Sequence, residues 1–292
     1  MRLSSWRSCE DGGLDMSFNP VRAFEKAMED WLGSPYAVAV SNGTAAIKAA
    51  LLSVGVHPRQ WVITTPYTFV ATGNAIHQIG ARPLFVDVKE DLTIDPARIW
   101  EVIDRFDTDS IGAILPVHIF GRLCDIDGLV EIHDETKIPI VEDACQAIGA
   151  VVEKLGNPMF GKHLGTLFDA GCMSFYGSKN LWTYEGGMVL TPHKDVAKKI
   201  EMLRNHGFDG DKMVVMGYNW KMGWINAFQG WQQVKMHKKA IVSELGMLGP
   251  EDGYYPYLVY QHPWYQHNPQ HWDKLDCPVA EAAAEKVRGE NK

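Results

Sequence analysis

A lysine just beyond a buried apolar run is the residue of this sequence that most directly suggests chemistry. Residues 171–176 read GCMSFY, which is typical of a buried strand, and Lys179 follows three residues later. Burying an ammonium group is costly, so a lysine at the mouth of such a strand is unusual. A lysine that forms a Schiff base needs a partly desolvated position near an electron-accepting cofactor. The alternative is an ordinary surface lysine in a strand-end loop.

Three further motifs also come directly after predicted strands. In the first, SNGTAA at residues 41–46, an Asn-Gly turn ends a strand and Thr44 opens a helix. Free backbone N–H groups and the helix dipole at that point can bind a phosphate, and the Thr44 hydroxyl can add a hydrogen bond. The alternative is a turn followed by a capped helix that binds no ligand.

The other two motifs offer an aromatic ring and a buried acid. TFVAT at residues 68–72 places Phe69 where it can stack on a planar ring or join the core. EDACQ at residues 142–146 ends a buried strand with two acids, and a buried carboxylate is costly unless it is paired. Asp143 could pair with a protonated pyridine nitrogen or cap the next segment, and Gln146 could donate to a ring oxygen.

Short apolar runs alternate with helical stretches along most of the chain. This alternation predicts an α/β fold with a mostly parallel sheet that helices cover on both faces. Ligands of such sheets bind at the carboxyl ends of the strands, so the motifs should converge there. The predicted strands are Tyr36–Val40, Trp61–Thr65, Pro83–Val88, Ile111–Val117, Ile138–Glu142, Gly171–Tyr176 and Gly187–Thr191, and the predicted helices are Pro20–Leu32, 44–54, 70–79, 96–105, 125–135, 193–206 and 225–240.

Composition excludes several classes of protein. The net charge of −8 over 292 residues argues against a nucleic-acid footprint. Five scattered cysteines without a CxxC pair predict neither a disulfide framework nor a zinc site, and they fit a reducing cytoplasm. No apolar run reaches the roughly 18 residues of a membrane helix, and the start lacks the apolar core of a signal peptide. We therefore expect a cytoplasmic protein with neither a nucleic-acid nor a membrane partner.

Taken together, the motifs resemble the DegT/DnrJ/StrS family of sugar aminotransferases, which use pyridoxal phosphate. The resemblance covers about residues 20–235, and it implies the aspartate-aminotransferase fold, with a seven-stranded large domain, a small domain and a homodimer that shares its active sites. Besides the motifs above, it includes the segments FVDV (85–88), PVHIFG (116–121), SFYGSKN (174–180), EGGMV (185–189), LRNHG (203–207) and GYNWKM (217–222).

The resemblance gives four residues a role at the cofactor ring. Lys179 would form the Schiff base and shuttle the proton, and Asp143 would pair with the pyridine nitrogen. Gln146 would face the ring and its hydroxyl, and Phe69 would stack on the ring. No metal is expected.

Four more residues would hold the phosphate. Thr44, Ala45 and Ser174 would bind it within one subunit, and Asn219 would reach the phosphate of the cofactor in the partner subunit. Lys221 stands where the family commonly has arginine. If Lys221 binds the carboxylate of the amino donor, the bidentate contact that an arginine makes would be lost.

The resemblance also predicts how the chain is divided. We expect a poorly ordered tail over 1–18, a pyridoxal-phosphate-binding large domain over 19–206, and a shortened small domain with a substrate-side loop over 207–292. Residues 251–272 are rich in Tyr, Trp, His and Gln. They are either a loop facing the substrate or a poorly packed remnant that exposes aromatic rings.

The implied activity is a ping-pong transamination. It would move an amino group from glutamate or glutamine to a nucleotide-linked keto-sugar or to a keto-cyclitol. Such reactions belong to amino-sugar and polysaccharide biosynthesis. Related sugar dehydratases have histidine in place of the lysine, so Lys179 favours an aminotransferase. Two alternatives stay open, a binding or regulatory protein without turnover and a pyridoxal-phosphate-dependent sugar dehydratase.

Overall fold

The alternating apolar runs form one twisted sheet between two layers of helices. The computed structural model describes residues 18–243 and 255–290, so the predicted N-terminal tail lies outside the described residues except for Phe18. Strands occupy β1 Tyr36–Val40, β2 Trp61–Thr64, β3 Arg82–Phe85, β4 Ile111–Leu115, β5 Val141–Asp143, β6 Ala170–Ser174, β7 Gly187–Thr191, β8 Phe208–Asp209, β9 Lys212–Met213 and β10 Asp273–Lys274.

The main sheet has the order β1-β7-β6-β5-β4-β2-β3-β10. Hydrogen bonds join β1, β7, β6 and β5 on one side and β4, β2, β3 and β10 on the other. Parallel bridges from Ile114 to Ile140 and from Val117 to Asp143 connect the two halves. All pairs are parallel except those of β7, which is antiparallel to β1 and β6. The predicted seven-stranded, mostly parallel sheet is confirmed, and the two-residue strand β10 extends it beyond the prediction.

Local sequence signals explain where the helices begin and end. Asn19 caps the first helix by accepting from the N–H of Val21 and Arg22, Pro20 occupies its first turn, and Gly33 ends it in the left-handed conformation. The helices are α1 Pro20–Leu32, α2 Gly43–Ser53, α3 Ala71–Gln78, α4 Pro96–Arg105, α5 Ile126–Thr136, α6 Lys194–Arg204, α7 Trp224–Ser243, α8 Pro263–His267 and α9 Pro278–Glu290.

Two apolar cores show that helices cover both faces of the sheet. Alternate residues of β1 point to opposite faces, so Ala37 and Ala39 join one core while Val38 and Val40 join the other. Helices α1, α4, α5 and α7 supply the first core, and α2, α3 and α6 supply the second. Across the two described ranges, no helix combines the length and apolarity needed to cross a membrane.

The C-terminal segment, residues 255–290, packs directly on the large sheet. Its strand β10 pairs in parallel with β3. The Asp87 carboxylate accepts from the backbone N–H groups of Val279 and Ala280, each at 2.9 Å, in the first turn of α9. A carboxylate at a helix N-terminus satisfies N–H groups that have no acceptor within the helix. The division of the chain at residue 206 stays a prediction.

Aromatic residues of the C-terminal segment pack against α3. Tyr265 is 2% exposed, and its hydroxyl lies 3.2 Å from the Asn74 side-chain oxygen. The rings of Trp264 and Tyr265 lie 4.9 and 5.2 Å from the His77 ring. The described part of 251–272 is therefore not a loosely packed remnant, although Trp264 itself is half exposed.

A methyl group on Gly73 should disturb this packing. A Cβ there would stand 2.9 Å from Val259 Cγ1 and closer still to the Tyr265 hydroxyl. Because overpacking a filled interface costs about 1–3 kcal/mol, we expect Gly73→Ala to lower the free energy of unfolding by that order. Gly289→Ala in α9 is the matched control, since its Cβ would meet no atom within 4 Å. Urea unfolding measures both, and equal stabilities would contradict the close contact.

Docking on α3 should weaken in acid because His77 is held neutral. Burial, and then the nearby His271, lowers the pKa of His77 from 6.5 to about 4. A histidine whose folded pKa is lowered is protonated first in the unfolded chain, so stability falls as the pH drops from 6.5 toward 4. We expect the stability of wild type relative to His77→Phe to decline across that window. Other titrating groups cancel in the difference between the two unfolding curves, and a flat difference would contradict the expectation.

Candidate active site

The predicted motifs meet in one cavity of about 470 Å³ at the carboxyl ends of β5 and β6. Six of the eight residues that were predicted to bind a cofactor line it, and they come from four separate strand ends. They are Thr44, Phe69, Asp143, Gln146, Ser174 and Lys179. Further lining residues are Asn42, Gly43, Ile47, Lys48, Thr68, Ala71, Thr72, Cys145, Tyr176, Ser178, Glu185 and Tyr255.

The Asp143 carboxylate is buried and held by two donors. It is 4% exposed at the end of β5. Thr72 Oγ1 donates to its Oδ2 at 2.9 Å, and the Cys145 N–H donates to its Oδ1 at 3.2 Å. Thr68 Oγ1 lies 3.1 Å from Thr72 Oγ1 and extends the network into the turn before α3. These bonds fix the plane of the carboxylate.

The neighbouring acid, Glu142, anchors the polypeptide behind the site. Its carboxylate is fully buried and accepts from the backbone N–H groups of Gly165, Leu167 and Phe168 at 2.8 to 3.2 Å. The buried His118 ring also lies 3.1 Å from it. The two acids of the EDACQ motif therefore do different work, since Glu142 fixes the backbone and Asp143 faces the cavity.

The first turn of α2 presents backbone N–H groups to the cavity. Asn42 caps this helix by accepting from the Ala45 N–H at 2.8 Å, and its carbonyl accepts from Ala46. The N–H groups of Gly43 and Thr44 are in the first turn and have no acceptor within the helix, so they suit an anion. A Cβ on Gly43 would stand 2.8 Å from Ser174 Cβ. Glycine therefore allows the helix start to approach β6.

Lys179 and its neighbours Tyr176 and Ser178 line the cavity. Its side chain is half-buried, and its backbone N–H donates to the Tyr176 carbonyl at 2.9 Å in a turn after β6. The Cys145 thiol also lines the cavity, and burial together with the Asp143 charge raises its pKa. The thiol therefore stays protonated and does not compete with the lysine amine as a nucleophile.

Gln146 is held at both ends of its side-chain amide. Its Oε1 accepts from the Phe120 N–H at 3.0 Å, and its Nε2 donates to the Tyr255 hydroxyl at 2.7 Å. The side chain thus lies beside Asp143 at the cavity wall, where the sequence predicted a residue facing a ring.

Two predicted residues lie outside the cavity lining. The Ala45 N–H is taken by the Asn42 cap, so the amides of Gly43 and Thr44 are better placed than Ala45 to meet a phosphate. Asn219 is exposed and bridges to Asn205, away from the cavity. Lys221 is exposed and donates to Asn205 Oδ1 at 3.1 Å. The roles predicted for Ala45, Asn219 and Lys221 stay predictions.

Sequence reasoning missed two residues that shape the site. Thr72 stands four residues after Thr68, one in α3 and the other in the turn before it, and this pair of polar residues was an available signal. Tyr255 comes from a segment 109 residues beyond its partner Gln146, and no local pattern announces such a contact.

A sequence profile of the DegT/DnrJ/EryC1/StrS aminotransferase family matches residues 4–244. The chain belongs to this family. The predicted resemblance is confirmed, and so is the expected cofactor at the level of the family, because its aminotransferases depend on pyridoxal phosphate.

The chain is similar to curated proteins that are named for nucleotide sugars. GDP-perosamine synthase of Caulobacter vibrioides is 35% identical over 216 residues, which are 73% of this chain and 55% of that protein. The UDP-4-amino-4,6-dideoxy-N-acetyl-beta-L-altrosamine transaminase of Campylobacter jejuni (serotype O:23/36) is 32% identical over 221 residues, 74% of this chain and 56% of that one. The chain spans about half the length of the curated relatives it matches.

Solved structures share the fold, and one of them holds a cofactor. NtdA from Bacillus subtilis, solved with the bound cofactor PMP, has a TM-score of 0.73 and 26% identity, covering 91% of this chain and 70% of that one. The cavity described above fits such a group. It combines a fixed carboxylate, a helix N-terminus with open N–H groups, an amide, an aromatic ring and a lysine amine.

Removing the Thr72 hydroxyl should destabilise the fold through Asp143. Thr72→Val keeps the shape but takes one donor from a buried carboxylate, and such a loss costs about 1.5–3 kcal/mol. Thr72→Ser keeps the hydroxyl and serves as the matched control. In urea unfolding of the cofactor-free proteins, we expect a clearly lower free energy of unfolding for Thr72→Val than for Thr72→Ser. Equal values for the two variants would show that the hydrogen bond to Asp143 does not matter.

Proposed function

We propose that this chain binds pyridoxal phosphate in the cavity and transfers an amino group from glutamate or glutamine to a nucleotide-linked keto-sugar. One observation carries the proposal. The end of β5, the start of α2, the start of α3 and the turn after β6 bring a carboxylate, N–H groups and a lysine amine to one cavity. The names of the relatives support the substrate class, and a keto-cyclitol is the second acceptor that the same chemistry allows.

Each part of the cofactor has a matching residue. Thr44, with the N–H groups of the α2 N-terminus, and Ser174 would hold the phosphate. Phe69, which is 57% exposed on the cavity wall, would cover one face of the ring, and Gln146 would meet the ring oxygen. Asn219 would reach the cofactor of a second copy of the chain in a homodimer. When bound, pyridoxal phosphate accepts the electron pair left when a proton leaves the amino-acid donor.

Two side chains would do the proton work. The Asp143 carboxylate, fixed by Thr72 and the Cys145 N–H, would keep a ring nitrogen beside it protonated, because the two opposite charges would attract each other. The Lys179 amine would first hold the cofactor and then, once released, take the proton from the donor and return it to the acceptor. Both roles need Lys179 at the mouth of the cavity, where its side chain is half-buried.

Exposed rings at the cavity and free cysteines support the proposed homodimer and the proposed cytoplasmic location. Phe69 and Tyr176 leave more than half of their side chains exposed at the cavity, and a second copy of the chain would cover them. Cys124, Cys145, Cys172 and Cys277 are free thiols, which fits the reducing cytoplasm. Residues 207–292 would supply the substrate side of the site.

Lys179 should be the residue that holds the cofactor covalently. After incubation with pyridoxal phosphate and reduction with borohydride, we expect the label on Lys179 in wild type and no label in Lys179→Ala. Lys48→Ala is the matched control, because Lys48 lines the same cavity but donates to Gln78 Oε1 at 2.9 Å and lies over the Trp220 ring. Peptide mass spectrometry locates the label.

The same preparation tests turnover. We expect glutamate or glutamine to discharge the unreduced cofactor and release one equivalent of keto acid in the absence of any sugar. A label on Lys179 that no amino donor discharges would argue for a binding protein without turnover. Labelling that does not depend on Lys179 would overturn the proposed site.

A further inference from the structure

Among the described C-terminal residues, 255–290, one side chain lines the cavity. Tyr255 is 7% exposed and lines the cavity, and its hydroxyl accepts from Gln146 Nε2 at 2.7 Å. The large sheet and its helices supply the rest of the lining. A residue from the end of the chain therefore enters a site built by the first two thirds of it.

The bonds of Gln146 fix which way round its amide stands. A backbone N–H can only donate, so the Phe120 N–H selects the oxygen end of the Gln146 amide. The nitrogen end must then face Tyr255, whose hydroxyl accepts from it. An amide nitrogen carries two N–H groups, so this orientation leaves a second donor for a ligand.

The backbone at Phe120 is strained into the position that this bond requires. Phe120 has φ 52° and ψ 26°, a left-handed conformation that costs a residue with a side chain about 1–2 kcal/mol. Strain of this kind persists where the surrounding structure over-determines it, and it is common at functional sites. It directs the Phe120 N–H toward Gln146, so the strained peptide and the amide act together.

Tyr255 is itself held rigidly. Its ring stacks on the Phe120 ring at 5.9 Å and 20° and meets the edge of Tyr67 at 5.7 Å and 90°. The next residue, Pro256, accepts from Arg288 Nη1 of α9 at 2.8 Å, and the Val259 N–H donates to the Pro66 carbonyl at 3.0 Å. The phenol oxygen is thus placed by packing and not by Gln146 alone.

We propose that Tyr255 is a positioning residue that, together with the strained Phe120 peptide, locks the Gln146 amide with its nitrogen toward the ligand. This inference rests on the proposed function, since the ligand is the ring of pyridoxal phosphate. Without the phenol, the amide loses the partner that holds its nitrogen end, so the side chain can turn and its bond to the Phe120 N–H is broken more often. Tyr255 would then govern cofactor binding without touching the cofactor.

A double-mutant cycle tests the coupling. The four proteins are wild type, Tyr255→Phe, Gln146→Met and the double variant, and the affinity for pyridoxal phosphate is titrated by its protein-bound absorbance. We expect Tyr255→Phe to weaken binding about three- to ten-fold, as one neutral hydrogen bond is worth. The double variant should match Gln146→Met within a factor of about two, because Tyr255 acts through Gln146. Effects that multiply, or an unaffected Tyr255→Phe, would overturn the proposal.

Tyr257→Phe is the matched control for this cycle. It makes the same change two residues away, on a ring that is 51% exposed and outside the cavity lining. We expect wild-type affinity from it. Weaker binding in Tyr257→Phe equal to that in Tyr255→Phe would show a general disturbance of the segment and would also overturn the proposal.

A measurement on the cofactor-free protein separates this inference from the proposed function. In Tyr255→Phe, a loosened Gln146 should no longer protect the Phe120 N–H, so hydrogen exchange in a peptide spanning residues 116–124 should speed up at least about three-fold. If wild type binds no pyridoxal phosphate, the proposed function fails and the exchange result alone decides the role of Tyr255. Unchanged exchange would overturn that role.

Discussion

A charged carboxylate that is 4% exposed at the end of β5 destabilises a fold unless donors meet it. In this chain the donors come from a hydroxyl on α3 and from the backbone that follows β5. Placing them requires β5 to lie between β6 and β4, with α3 packed above the same edge. The order of the strands, the start of α3 and the backbone after β5 are therefore all tied to Asp143.

The same edge of the sheet also brings together groups of opposite electrostatic character. The α2 N-terminus is electropositive and suits an anion, whereas Asp143 suits a cation. The close approach of α2 to β6 at Gly43 holds the two within one cavity. A ligand with a phosphate at one end and a protonated ring nitrogen at the other would satisfy both, and this polarity is a property of the fold before any ligand binds.

Much of the fold and of the site follows from local sequence. The bounds of β1, β7, α1 and α4 were predicted to the residue, because caps, prolines and short apolar runs mark them. Most of the six predicted lining residues were found because they lie at or just after the end of a strand, where a parallel sheet gathers its ligands, whereas Ser174 was predicted from the family resemblance alone. Strand β10 and the role of Tyr255 were not predicted, since their positions depend on contacts with residues far away in sequence. Ala45 shows a finer limit, because the choice between neighbouring amides depends on which of them Asn42 caps.

The position of β10 affects how the sheet meets other chains. The outer edge of β3 would otherwise present unpaired backbone N–H and C=O groups along an apolar strand, which is a template for association between molecules. Two residues of β10, Asp273 and Lys274, cover part of that edge and place a charge of each sign beside it. The Leu275 N–H extends the cover by donating to the Phe85 carbonyl. The C-terminal segment thus covers part of an edge at which two molecules could pair. The same segment supplies Tyr255 to the cavity, so a change in it would affect both association and the geometry of the site.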